Sequence, residues 1–169
     1  VCMAVPLLEQ CLARIGHHNP AINALITLDL PGARAQARRA DELRDAGHAD
    51  GMPLLGLPIS VKDAFTTRGL RTTSGSPRLC HHLPTHDASA VARLKAAGAV
   101  LIGKSNLAEL AGNPQCWNPL FGHTRNPWQP ELTPGGSSGG SAAAIAMGFS
   151  LLELGSDIAG SIRIPAAFC

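Results

Sequence analysis

Hydrophobic residues follow two different spacings along the chain, and together these spacings predict a protein of helices and strands. From Leu7 to Ile15 they recur every three or four positions, which places them on one side of a helix. In the stretch that ends at Lys62 they form a nearly unbroken run, which is typical of a buried strand. Helices are predicted over residues 6–15, 31–46, 87–97, 105–110 and 141–149. Strands are predicted over residues 24–28, 54–62, 99–102 and 151–154.

Turn-forming residues set the expected ends of these elements. Asn19 and Pro20 are expected to break the first helix. Asp87 is expected to cap the third helix and Gly98 to end it. Residues 112–134 hold five prolines and both tryptophans, which predicts a loop of a length that is uncommon unless it serves a function. Because strands and helices alternate, the expected fold class is α/β, a mixed sheet layered with helices.

Composition argues against several classes of function. The net charge is only +2 and there is no basic run, so no direct nucleic-acid contact is expected. No apolar stretch is long enough for a membrane span, and the first residues lack the pattern of a signal peptide. The five cysteines are odd in number and include no C-x-x-C pair, which indicates the reduced thiols of a cytoplasmic protein. No zinc or other metal site is expected.

Two turns rich in glycine and serine, over residues 135–141 and 155–161, are the candidate sites of chemistry. Glycine lets a ligand approach closely, and serine supplies hydroxyl groups that can attack. The first turn lacks the lysine of a P-loop, and neither turn has the G-x-G-x-x-G spacing of a dinucleotide loop. Around Ser161 the G-x-S-x-G pattern of an α/β-hydrolase is missing, because Arg163 stands at the second glycine position. A flexible linker is the alternative, but apolar segments flank both turns closely.

A nucleophilic serine in these turns needs a base, and Lys62 is the candidate. No histidine lies in or beside either turn, so a Ser-His-Asp arrangement has no local support. A free lysine has a pKa of about 10.4, and burial can bring this value near 7. Lys62 follows an apolar run, which favours burial, and Asp63 is expected to point away from the amine.

Long segments of the chain resemble the amidase signature family. The run GGSSGGSAAA and, further on, GSDIAGSIRIPAAFC are similar to the signature of that family. The segment LGLPISVKD resembles its lysine strand, and DASAVARLKAAGAVLIGKSNLAEL and NPLFGHTRNPW resemble two segments that lie between. The resemblance covers residues 23–169, with the motifs in the order of the family. It implies the amidase signature fold, a mixed sheet layered with helices.

The resemblance implies a Ser-Ser-Lys triad that hydrolyses an amide through an acyl-enzyme. The nucleophile is the serine of the G-S-I-R run, Ser161. The bridging serine, which follows a cis peptide bond in the family, is Ser137, and the base is Lys62, the lysine of V-K-D. The implied substrate is a small-molecule amide, with no cofactor and no metal. A homo-oligomer stays open.

The resemblance also implies an oxyanion hole made by backbone N–H groups of the second turn. Its residues are Ile158, Ala159, Gly160 and Ser161. The residues expected to support the site are Ser138, Asp157 and Arg163. Arg163 is expected to brace the turn by pairing with Asp157. The family usually has glycine where this chain has Ala159, and a positive φ there would cost alanine about 1 to 2 kcal/mol.

Family members are several hundred residues long, and both ends of this chain are expected to be cut. Residues 1–169 are therefore expected to be the N-terminal part of a single amidase domain, truncated on its C-terminal side. Three hypotheses stay open: a stand-alone amidase, the glutaminase (A) subunit of a tRNA-dependent amidotransferase, and an inactive fragment. Glutaminase subunits of this kind carry Gln after the G-S-I-R arginine, where this chain has Ile164, which favours the stand-alone amidase.

Overall fold

Helices and strands alternate through residues 3–169, the part of the chain that the computed structural model describes. The helices are α1 (Ala4–Ile22), α2 (Leu30–Asp45), α3 (Ser89–Ala96), α4 (Gly139–Ala146) and α5 (Arg163–Phe168). The strands are β1 (Leu25–Leu28), β2 (Pro58–Lys62), β3 (Val100–Ser105), β4 (Trp117–Asn118), β5 (Gly122–His123) and β6 (Leu152–Leu154). None of the described helices combines the length and the hydropathy that crossing a membrane requires.

Four of the strands form a mixed sheet in the order β1-β3-β2-β6. β2 runs parallel to both β3 and β6, and β1 runs antiparallel to β3. β2 is a central strand, and all of its residues are buried. Its last residue, Lys62, lies opposite Ser105 of β3, and Ser60 lies opposite Glu153 of β6. The α/β class and the mixed sheet expected from the sequence are confirmed.

Hydrophobic side chains pack on both faces of this sheet. On one face, α1, α2 and α4 form a core that includes Leu8 and Ile102. On the other face, Val91 of α3 packs in a core with Val61 and Leu101. Leu101 and Ile102 are neighbours on β3 and belong to different cores, because successive side chains of a strand point to opposite faces. The sheet is thus a middle layer with helices on each side.

The first helix is longer than expected, because Asn19 and Pro20 do not break it. α1 contains Pro20 and continues to Ile22, and the helix ends at Asn23, whose φ is 57°. The backbone carbonyl of Asn19 accepts a hydrogen bond from the N–H of Asn23 at 2.7 Å. Its side-chain oxygen accepts from the N–H of Leu25 at 2.9 Å. Asn19 therefore joins α1 to β1, and the expectation that it ends the helix was wrong.

The helix expected over residues 105–110 is also wrong. β3 continues to Ser105, because β2 beside it continues to Lys62 and supplies backbone partners. Asn106 then donates its backbone N–H, at 2.8 Å, to the carbonyl of the residue just before β1. The helical part of this segment is a short 3-10 turn, Glu109–Ala111. Pairing with the sheet has overridden the local helical pattern.

Two smaller expectations also need correction. Asp87 does not cap α3, since its carboxylate accepts from the backbone N–H of Arg68 at 2.7 Å and from Lys95 Nζ at 2.9 Å. It ties the loop after β2 to α3 instead. The strand expected over residues 54–62 begins at Pro58, because the apolar residues before it form turns that pack against the sheet.

Candidate active site

Lys62 ends β2 in a buried position, and its amine contacts three serine hydroxyls. Its Nζ lies 2.7 Å from Ser137 Oγ, 2.8 Å from Ser138 Oγ and 2.9 Å from Ser156 Oγ. Ser137 and Ser138 belong to the first glycine–serine turn, and Ser156 belongs to the second. One buried amine therefore joins the two turns that the sequence singles out.

The surroundings of Lys62 bring its amine within reach of neutrality near physiological pH. Burial lowers the pKa of Lys62 from its ordinary value to about 8, while the acidic groups of Cys116, Asp157 and Glu153 act to raise this pKa. An amine with a pKa of about 8 is neutral in roughly one molecule in ten at pH 7. A neutral amine can accept a proton, so Lys62 meets the requirement for a base.

Close packing of the first turn explains its glycines. The Gly136–Ser137 peptide bond is cis, the geometry that the resemblance implies for the bridging serine. A Cβ atom on Gly136 would lie 2.9 Å from the backbone of Gln115, closer than real Cβ atoms approach. A Cβ atom on Gly140 would collide with the backbone of Asn106. Glycine at both positions lets the turn sit directly on neighbouring backbone, and this holds Ser137 at the end of β2.

Ser161 lies on the second turn and lines a cavity of about 440 Å³ together with Ser137 and Ser156. Its carbonyl accepts a hydrogen bond from the N–H of Ser138 at 3.1 Å, which ties the second turn to the first. Within residues 3–169, the Ser161 hydroxyl makes no hydrogen bond to Lys62 or to Ser137. The structure thus brings Lys62 and Ser137 into contact and leaves Ser161 on the cavity wall without a direct link to either.

Asp157 organises the second turn. Its carboxylate accepts from the backbone N–H groups of Gly160 at 2.7 Å, of Ile162 at 3.0 Å and of Arg163 at 3.1 Å. The Arg163 guanidinium adds two hydrogen bonds, at 3.0 and 2.9 Å. These contacts, that of the guanidinium above all, hold the pKa of the Asp157 carboxyl well below its usual range. Arg163 and Asp157 therefore brace the turn against each other.

The four backbone N–H groups expected to form an oxyanion hole are not equivalent. The N–H of Gly160 is already donated to Asp157. Those of Ile158, Ala159 and Ser161 donate to no acceptor within residues 3–169. Gly160 has a φ of 101°, whereas Ala159 is not among the residues with a positive φ. Alanine at position 159 therefore carries no left-handed backbone strain.

Two polar residues near Lys62 are missing from the set that the sequence predicts. Ser156 directly precedes Asp157 in the second turn, and its hydroxyl contacts the amine of Lys62. Glu153 lies in β6, and both of its carboxylate oxygens are buried. A single charged residue in the apolar run LLEL was the available signal for Glu153. Ser156 had no such signal, because the turn offers several serines of equal standing.

Comparison with known proteins assigns the chain to a family. The profile of the Amidase family matches residues 6–169. The chain belongs to this family. Over 166 residues, or 98% of its length, it is 54% identical to the A subunit of glutamyl-tRNA(Gln) amidotransferase from Roseiflexus sp. (strain RS-1). The match covers 34% of that protein.

Solved structures share this fold, and a peptide amidase is among them. The native peptide amidase from Stenotrophomonas maltophilia matches with a TM-score of 0.91 and 36% identity, over 98% of this chain and 35% of that one. A second match is a chain of a vestigial protein complex that reveals the evolutionary origins of an s-triazine catabolic enzyme. Its TM-score is 0.93 and its identity 44%, and the match covers 98% of this chain and 36% of that one. The chain therefore spans about a third of the length of these relatives.

Proposed function

We propose that the whole protein hydrolyses the C–N bond of a carboxylic amide through an acyl-enzyme. In this proposal Ser161 is the nucleophile, Ser137 is the bridging group and Lys62 is the base. The observation that carries it is the buried amine of Lys62, 2.7 Å from Ser137 Oγ, at a cavity that Ser161 also lines. Membership of the Amidase family supports the class of reaction.

The reaction proceeds in two halves that use the same proton path. Neutral Lys62 takes the hydroxyl proton of Ser137. Ser137 in turn takes the hydroxyl proton of Ser161, while Ser161 Oγ bonds to the amide carbon. The N–H groups of Ile158 and Ala159, with that of the nucleophile, stabilise the oxyanion. The C–N bond then breaks, and the departing nitrogen takes the proton that Lys62 holds, by way of Ser137. Water attacks the acyl-enzyme by the same path and releases the carboxylic acid.

The Ser161 hydroxyl has to turn toward Ser137 before the path is complete. Its backbone is already held by the hydrogen bond from the N–H of Ser138 to its carbonyl. In our proposal the side chain of Ser161 turns while its backbone stays held. Catalytic hydrogen bonds are often long or poorly aligned without substrate and tighten when it binds, so this movement accompanies substrate binding in our proposal.

A second candidate is the glutaminase reaction of a tRNA-dependent amidotransferase. The 54% identity to the A subunit of glutamyl-tRNA(Gln) amidotransferase favours it. Glutamine carries a primary carboxamide, so the bond chemistry is the same, and the ammonia would pass to partner subunits that act on tRNA. Ile164 stands against this candidate, because it lines the cavity beside Ser161 and offers no hydrogen bond to a polar substrate.

A fluorophosphonate probe tests the nucleophile in the whole protein. Peptide mapping by mass spectrometry should place the adduct on Ser161, and Ser161→Ala should abolish it because the attacking oxygen is gone. Ser89→Ala, at the exposed start of α3, is the matched control and should label like the wild type. An adduct on Cys80 or Cys116 that persists in Ser161→Ala would show that the nucleophile is wrong.

Ammonia release separates the two candidate substrates. The stand-alone amidase predicts faster release from an apolar primary amide than from glutamine at equal concentration. Ile164→Gln should shift this ratio toward glutamine, because the new amide can hydrogen-bond the polar end of the substrate. Wild-type protein that prefers glutamine would favour the amidotransferase candidate and refute the role given to Ile164.

A further inference from the structure

Glu153 is a buried acid near the proposed base, and no step of the proposed mechanism uses it. It is the middle residue of β6 and lies opposite Ser60 of β2, the strand that carries Lys62. Both carboxylate oxygens are inaccessible to solvent, and neither accepts a hydrogen bond within the described part of the chain. Burying an unpaired carboxylate is costly, so its presence here requires an explanation.

Glu153 lines a cavity together with a serine that contacts Lys62. The cavity has a volume of about 320 Å³, lies between α4, α5 and β6, and is lined by Glu153, Ser138 and Ser141 among others. Ser138 Oγ lies 2.8 Å from the amine of Lys62. Burial has the largest effect on the pKa of the Glu153 carboxyl and raises it, while the nearby hydroxyls of Ser105, Ser141 and Ser60 act to lower it. Glu153 and Lys62 also project from the same face of the sheet, because Glu153 lies opposite Ser60 and Lys62 follows Ser60 by two residues.

The other acidic groups that act on Lys62 have their charge removed or compensated. They are Cys116 and Asp157. Burial raises the pKa of the Cys116 thiol to about 11, so this thiol is neutral near pH 7. Asp157 is ionised, but the Arg163 guanidinium binds it through two hydrogen bonds. Among these three acids, Glu153 is the one that is partly ionised near pH 7 and has no cation paired with it within residues 3–169.

Two more titratable groups lie near Glu153, and neither forms an ion pair with it within residues 3–169. The Nζ of Lys104 lies 3.8 Å from a carboxylate oxygen of Asp63 and is paired with that group. Cys169 lines the same cavity as Glu153, and burial raises the pKa of its thiol to about 11. Burial raises the pKa of Glu153 to about 7, so its charge changes just below the pH range in which Lys62 titrates.

Building on the proposed function, we propose that Glu153 is a positioning residue whose ionised carboxylate stabilises the protonated amine of Lys62 and so sets the lower pH limit of the reaction. An anion on the same face of the sheet favours the ammonium form of the lysine. Lys62 therefore becomes a base at a higher pH than burial alone would give. Removing the charge should extend activity to lower pH, which is the opposite of what loss of an ordinary supporting residue would do.

The pH dependence of fluorophosphonate labelling in the whole protein tests this inference. The midpoint of the acidic limb should fall by at least about half a pH unit in Glu153→Gln, which gives roughly threefold more neutral amine at a fixed pH below the limb. Glu153→Met removes the charge with an apolar side chain of similar length and should shift the limb in the same direction. Glu131→Gln removes an exposed acid and is the matched control, with no shift expected.

Direct titration of Lys62 by NMR gives a second readout that does not depend on activity. The signal of the labelled lysine side chain is assigned from its loss in Lys62→Arg, and its midpoint should fall in both Glu153 variants. If the wild type is not labelled at any pH, the proposed function fails, and this titration alone decides the inference. An unchanged Lys62 midpoint in folded variants overturns it. The inference is also overturned if labelling slows at every pH while the midpoint of the acidic limb stays the same, or if both variants fail to fold.

Discussion

Two buried lysines on neighbouring strands, Lys62 on β2 and Lys104 on β3, have different surroundings. Both side chains are inaccessible to solvent, and burial lowers the pKa of each to about 8. The Nζ of Lys104 donates to the carbonyl of Phe65 and to the hydroxyl of Thr67, and a carboxylate oxygen of Asp63 lies 3.8 Å away. The Nζ of Lys62 instead contacts serine hydroxyls of the two glycine–serine turns.

Burial is common to both lysines, so the direct partners of each amine are what distinguish them. Asp63 points away from Lys62, as predicted from the sequence. One of its carboxylate oxygens faces Lys104, and the other accepts hydrogen bonds from the N–H and the hydroxyl of Thr73 at 2.9 and 2.5 Å. Lys104 and Asp63 thereby hold the loop that follows β2. Lys62 has neutral hydroxyls as its direct partners, and two of these, Ser137 and Ser156, line the cavity that Ser161 also lines. In the proposed mechanism, this contact with Ser137 is the one through which Lys62 receives a proton.

The largest expected effect is the loss of reactivity in Lys62→Met. Labelling of Ser161 should slow by about 10² to 10⁴-fold, because the variant lacks the base that receives the proton. Its free energy of unfolding should change less than that of Lys104→Met, since no carboxylate loses a direct partner. Labelling rates and urea denaturation of the whole protein measure the two quantities. A rate close to that of the wild type would contradict the assignment of the base.

The next effect is a loss of stability in Lys104→Met. This variant should lose about 3 to 5 kcal/mol in its free energy of unfolding, because Asp63 is left buried without its cation. Lys95→Met breaks a more exposed ion pair with Asp87 and should cost about 1 kcal/mol or less, which makes it the matched control. Adding Asp63→Leu to Lys104→Met should recover much of the loss. A stable Lys104→Met with strongly reduced labelling would reverse the roles given to the two lysines.

A smaller effect is the dependence of stability on pH. Each lysine has an ordinary pKa of 10.5 and a pKa of about 8 in the folded protein. Between these values the unfolded chain binds more protons, so the free energy of unfolding should rise with pH by up to about 1.4 kcal/mol per unit for each lysine. Below pH 8 both lysines are protonated in the folded protein, so its free energy of unfolding is lowered by the full cost of burying the two ammonium charges. Lys62→Met should flatten the rise between pH 8 and 10, and an unchanged slope would show that the lysine is not buried as described.

The smallest effect is expected from Ala159→Gly, a variant that tests for backbone strain in the second turn without changing Lys62. Because Ala159 does not have a positive φ, Ala159→Gly should bring no gain in labelling rate. It should lower the free energy of unfolding by about 0.4 to 1 kcal/mol, because glycine adds freedom to the unfolded chain. Rate and stability can be measured on the same samples. A clear rise in labelling would show that alanine does impair the turn.

Much of the fold was predictable, because periodicity reports which faces are buried. The strands around Lys62 and the helix after the first turn were expected from this pattern and are present. The end of α1 and the segment after Ser105 were not predicted correctly. In both, partners distant in sequence decide the outcome: the sheet extends β3, and Asn19 bonds into β1. A local pattern carries no information about such partners.

The candidate site was predictable only in part. The turn residues and Lys62 stand in motifs long enough to single out, and the contact between Lys62 and Ser137 follows from them. The contact with Ser156 depends on how the second turn lies over the end of β2, which the sequence does not specify. Glu153 was visible as a charge in an apolar strand, but its position in the cavity beside Ser138 required the structure.

The most direct test of whether Lys62 is the base compares the two lysines in one experiment. Labelling of Ser161 by a fluorophosphonate is followed against pH in wild-type protein, Lys62→Met and Lys104→Met, under conditions in which each is folded. We expect an acidic limb with a midpoint near 8 in the wild type and in Lys104→Met, and slow labelling without this limb in Lys62→Met. A limb that persists in Lys62→Met and disappears in Lys104→Met would contradict it.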